Sequence, residues 1–146
     1  MKVQRNLEVL HPILIDCVTK IQRELIDHHN IPMRLFETGR IHDRHDFLLK
    51  KGKSKDIMSR HLFNLDTNPP LYATAVEYVY YDGKWSWNLR NSTVYSWYQL
   101  FGNLVLDLCP ELKWGGQNRK LINYCYFELR RDIVTENLHR IDCVVP

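Results

Sequence analysis

The chain has 146 residues, 45% hydrophobic, 25% charged and 12% aromatic, with a formal net charge of +3. That length suits one compact domain over 1–146, and the composition supplies a core and excludes a disordered chain. The cationic excess is too mild for a nucleic-acid binder, and no apolar run is long enough to cross a membrane.

The first residues, MKVQRNLEVLHPILIDC, lack the apolar run and small-residue cleavage site of a signal peptide. The expectation is synthesis in the cytoplasm without an export signal. His11-Pro12 opens a helix, because a first helical turn tolerates the missing proline N–H. Leu14, Val18, Ile21 and Leu25 continue it at helical spacing and face a core, and it fades at His28-His29-Asn30. Residues 33–37 read as a strand broken by Gly39. Residues 43–51 read as a helix stopped by Gly52, with Lys50, Lys51, Lys53 and Lys55 forming a solvated cluster there.

Residues 59–70, rich in Asn, Asp and Pro, are expected to be irregular. Residues 74–81, with their Val, Tyr and Thr, predict a strand ended by Asp82-Gly83. Val94, Tyr98, Phe101, Val105 and Leu108 mark a helix that Pro110 terminates, and Trp114-Gly115-Gly116 is a loop. Residues 124–129 predict a strand with Tyr124, Tyr126 and Glu128 on one face and Cys125, Phe127 and Leu129 on the other. Residues 130–146 show no pattern that assigns them. Cys17, Cys109, Cys125 and Cys143 contain no CxxC pair, so reduced, mostly buried thiols are expected.

An ordered series of motifs resembles the phage and bacterial L-alanyl-D-glutamate endopeptidases, relatives of the D-Ala-D-Ala carboxypeptidases. It runs through Arg5-Asn6-Leu7 with His11-Pro12, Phe36-Glu37-Thr38-Gly39-Arg40, Gly52-Lys53-Ser54-Lys55 and Ser59-Arg60-His61-Leu62. Tyr81-Asp82-Gly83-Lys84 with Trp87, Trp114-Gly115-Gly116 and Phe127-Glu128-Leu129 complete it, so the likeness covers about residues 5–130. It implies a small α+β domain, an antiparallel sheet with packed helices.

The resemblance also implies a zinc ion held by His, Asp and His, with a bound water as nucleophile and a carboxylate as base. Laid on without gaps, the first ligand is His61, after Ser59. The Asp falls on Asn68, the second His on Tyr126 and the base on Asn123. A neutral phenol and an amide are poor zinc ligands, and Asn123 cannot take a proton from water. A loop shorter by two residues would instead make Asp66, in Asn64-Leu65-Asp66, the ligand. Arg40 stands where the family keeps a substrate- or oxyanion-binding arginine, and it reads equally as a residue that holds its loop. Glu128 is expected buried and hydrogen-bonded. His42 and His45, three residues apart, could meet His61 around another metal, and Trp85, Trp87, Trp97 and Trp114 either stack on a ligand or pack.

The expectation is thus a pseudoenzyme without a cofactor. Arg40, Ser59, His61, Asn68, Tyr126 and Glu128 would form its remnant pocket. It would act as a binding or structural protein of a phage or prophage, for example in a virion, with another protein or a peptidoglycan peptide as partner. The alternative is an active endopeptidase with a rearranged metal site.

Overall fold

The computed structural model describes residues 2–54 and 59–134. Lys55, Cys143 and residues 135–146 lie outside them.

Helix α1 (Pro12–Ile21) starts where predicted, with the His11 ring nitrogen accepting the Ile13 N–H at 3.2 Å. It buries Leu14, Cys17, Val18 and Ile21. The helix continues as a π-helical stretch, Gln22–Asp27, which still buries Leu25. Asn30 then takes a left-handed φ of 53°, a conformation its short polar side chain tolerates, and the chain turns into the sheet.

Strand β1 (Met33–Glu37) and helix α2 (His42–Lys50) follow. Gly52, at φ 68°, ends α2. Residues 59–74 are irregular apart from isolated bridges, one of which joins Arg40 to Leu62. Strand β2 (Ala75–Tyr81), the short β3 (Trp85–Ser86) and helix α3 (Ser92–Leu108) come next. Asn91 caps α3 through its side chain, accepting the Thr93 and Val94 N–H groups. Strands β4 (Leu112–Trp114) and β5 (Tyr126–Leu129) complete the sheet. Residues 131–134 form a helical turn. No helix among the described residues is long and apolar enough to cross a membrane.

The strands are antiparallel in the order β1-β2-β5-β4, with β3 also paired to β2. This is the α+β arrangement expected. Residues directly opposite in such a sheet share a face, so the register sorts the two sides. Val76, Phe127 and Trp114 form one row, and Glu37, Glu77 and Tyr126 form another on the opposite side.

The first side packs on the helices. Tyr78 lies 5.2 Å from Phe101 of α3, ring centre to ring centre, and both reach Phe127 at 5.9 Å. Trp114 stacks on Phe127 and is clasped by Gly102 of α3 and by Gly116. A Cβ on either glycine would stand 2.3 Å from the indole, so side chains there would push it out.

Candidate functional site

The second side of the sheet floors a cleft of about 840 Å³. Glu37 ends β1, is 1% exposed, and holds two arginines. Arg40 Nε donates to Oε1 at 3.0 Å and Arg44 Nε donates to the same oxygen at 2.9 Å. Burial opposes the charge on Glu37, but the hydrogen bonds from Arg44 and Arg40 outweigh it and hold its pKa below the usual carboxylate value. Arg40 also reaches Glu77 Oε1, at 3.4 Å. Its backbone pairs with the next segment, the Arg40 N–H donating to the His61 carbonyl at 2.7 Å. The arginine therefore both holds its loop and faces the cleft.

His61 is 2% exposed, and the Ser59 hydroxyl accepts its backbone N–H at 3.2 Å. Its Nε2 stands 3.8 Å from Glu77 Oε1, and its ring meets Tyr126 edge-on at 5.5 Å. Among the described residues neither ring nitrogen has a hydrogen-bond partner of good geometry, although the backbones of Thr38 and Ala75 lie close enough to favour a proton on the ring. Burial first, and the Arg40 cation second, push its pKa down to about 3, so the imidazole is neutral at physiological pH. Burial likewise raises the pKa of Glu77, against the opposing pull of Arg40.

Tyr126 donates its hydroxyl to Glu128 Oε2 at 2.7 Å, and Arg60 Nη1 pairs with the same oxygen at 3.1 Å. Arg60 Nε in turn donates to the Thr74 hydroxyl at 3.0 Å. Glu128 is thus half-buried and bonded on the cleft side, as its strand face requires. Asn123 is exposed at the rim. Its side-chain oxygen accepts the Cys125 N–H at 3.1 Å and its carbonyl accepts the Tyr126 N–H at 3.3 Å, which delays β5 until Tyr126. Gly115 gives this turn its room, since a Cβ there would lie 2.4 Å from the Asn123 carbonyl oxygen. Lys53 and Lys113 bring cations to the rim, and Leu121 and Ile122 bring exposed apolar side chains.

Arg40, Ser59, His61, Asn123, Tyr126 and Glu128 therefore all line one cleft. Asn68 and Asp66 do not. Both are exposed in the loop that leaves the site after Phe63 and returns at Leu71 through the Asn64–Leu71 bridge. Neither residue that the two registers place beside His61 therefore lies there. The carboxylate beside His61 is Glu77, in Ala75-Val76-Glu77 on β2. Glu77 lies on a strand that the loop separates from His61, so spacing along the chain does not bring the two together.

The other histidines do not join the site. His42 is exposed, His45 is 1% exposed, and neither lines the cleft. Trp85 and Trp87 gather around Phe36, each ring 5.1 Å away, with the Arg5 guanidinium over Phe36 and Trp85. Trp97 packs against the core, and of the four only Trp114 touches the cleft. Cys17 and Cys109 are buried free thiols, and Cys125 is a half-buried one.

A small α+β domain with a polar cleft on one sheet face is the class defined by these features, and a solved endopeptidase shares its fold. The crystal structure of the Serratia marcescens L-Ala D-Glu endopeptidase ChiX superposes with a TM-score of 0.62. The match covers 88% of this chain and 86% of that one, at 24% sequence identity. No family model and no curated protein matches the chain.

Proposed function

We propose that the protein binds a peptidoglycan stem peptide in this cleft without hydrolysing it. The observation that carries the reading is the state of the row Glu37, Glu77 and Tyr126. A catalytic zinc needs three protein donors and an open place for water. Here His61 and Glu77 supply two. Tyr126 occupies the third position with a neutral phenol committed to Glu128, and Arg40 already places a cation against Glu77. The donor set does not fit the ion. Asn123, at the rim, uses its side-chain oxygen to bind the Cys125 N–H and has no basic atom to accept a proton from water.

What remains suits binding. Lys53, Lys113 and Arg40 offer charge-assisted hydrogen bonds to the carboxylates of a stem peptide, and Leu121 and Ile122 offer apolar contact beside them. The sequence likeness to phage cell-wall enzymes supports a phage or prophage setting, with the module carried in a virion to engage the wall.

Calorimetry with soluble stem peptides, run with and without added zinc and followed by chromatography of the products, tests the reading. Saturable binding of intact peptide is expected, weakened by Lys113→Ala. Cleavage of the L-Ala–D-Glu bond that requires zinc and His61 would overturn it in favour of an active endopeptidase whose metal sits on His61 and Glu77.

A further inference from the structure

The helical side of the sheet carries a second cluster of chemistry that the cleft does not use. Cys17 lies on the buried face of α1, Cys109 follows the last residue of α3, and Glu111 precedes β4. One donor atom from each falls within 4.8 Å of the other two. The Cys17 thiol is 3.8 Å from Glu111 Oε2, and the Cys109 thiol is 3.8 Å from the Cys17 carbonyl oxygen. We propose that Cys17, Cys109 and Glu111 form a site for one thiophilic divalent cation, of which zinc is the representative ion, tying α1 to the junction between α3 and β4.

The geometry needs little adjustment. Tetrahedral zinc, with bonds of about 2.3 Å to sulfur and about 2.1 Å to oxygen, sets neighbouring donors roughly 3.5–3.8 Å apart. The cluster therefore has to close by about 1 Å at most, and water completes the shell. Two thiolates and a carboxylate around a doubly charged ion leave one net negative charge, and Lys20, one helical turn beyond Cys17, offsets it. Lys20 lies close enough to act on both thiols, as does the opposing carboxylate of Glu111.

Tyr78 supplies an independent sign of a polar occupant. It is fully buried, and its hydroxyl has no hydrogen-bond partner among the described residues. Burial, then the nearby Cys109 and Cys17, raises its pKa. A buried hydroxyl without a partner is costly, and a thiolate at Cys109 or Cys17, both near enough to act on it, would offer it an acceptor. Side-chain alternation on β2 puts Tyr78 on the face opposite Glu77, and none of the cluster's residues lines the cleft. The site is thus separate from the one that binds peptide, and neither proposal depends on the other.

The test is a titration of the reduced, full-length protein with Cd²⁺, following thiolate-to-cadmium charge-transfer absorption, with Zn²⁺ as competitor. One equivalent is expected to bind, releasing protons and raising the thermal midpoint. Cys17→Ser and Cys109→Ser should abolish the absorption. Glu111→Gln, a milder change at a half-buried position, should weaken affinity at least about tenfold, because even indirect partners of a metal contribute that much. Cys125→Ser and Cys143→Ser should bind as the parent does. No absorption from the reduced parent, full affinity in folded Glu111→Gln, or a signal that follows Cys143 instead of Cys17 and Cys109 would overturn the proposal.

Discussion

The two faces of β2 bury their side chains by opposite means. Val76 and Tyr78 are closed over by α3 and the rings of Phe101, Phe127 and Trp114, and their burial follows from removing apolar area from water. One residue along, Glu77 points the other way, into a layer of Glu37, Arg40, Arg44 and His61 that is almost as dry. Charges there are tolerated only because each finds an opposite charge or a hydrogen bond. The apolar face is what any α+β core requires. The polar face is far more costly than a core of that size needs, and such cost is characteristic of a site.

Mutations should separate the faces. The largest losses of stability are expected at their centres. Phe101→Ala should cost about 3–5 kcal/mol through the cavity it leaves. Glu37→Gln should cost a comparable 3–5 kcal/mol or so, because two buried arginines lose their common partner. Urea unfolding measures both. Only the second should also disturb peptide binding, through the displaced Arg40.

A smaller and pH-dependent effect belongs to His61. Its folded pKa, about 3, lies below the ordinary value of 6.5, so the unfolded chain binds the extra proton between those limits. The His61 contribution is complete above pH 6.5 and is lost as pH falls toward 3. A folded His61→Gln variant should therefore lose less stability than the parent between pH 6.5 and 4, as read by denaturant midpoints. An equal loss in both would mean that the ring is not held neutral. The smallest effect is expected from Tyr126→Phe, about 0.5–1.5 kcal/mol for one hydrogen bond.

Much of this fold is legible in the sequence. Leu14, Val18 and Ile21, and Val94 through Leu108, repeat at the helical period because one side of each helix meets the core. Strand β4 is not legible, since three residues with Lys113 in the middle carry too little pattern, and its pairing with β5 comes from tertiary register. The π-helical stretch leaves no mark in spacing either. His61, Arg40, Tyr126, Asn123 and Glu128 stand in recognisable motifs and line one cleft, whereas Asp66 and Asn68 lie outside it. Spacing along the chain implies a short connection, whereas residues 64–71 leave the cleft, close on the Asn64–Leu71 bridge, and the chain re-enters through β2. His42 and His45 failed for a related reason: three positions on a helix differ by about 60° around its axis, and here the core boundary passes between them.

The proposal that the cleft binds peptide without a metal turns on His61, Glu77, Asn123 and Tyr126, and placing an acid at 123 and an imidazole at 126 tests it directly. Zinc stoichiometry would be measured in Asn123→Asp/Tyr126→His beside the parent, so that any ion bound elsewhere cancels. One additional equivalent is expected. It should disappear when Glu77→Ala is added and stay unchanged when Asn68→Asp or Asp66→Ala is added. A folded double variant that gains no zinc, or one whose gained zinc depends on Asp66 or residue 68 and not on Glu77, would contradict the account.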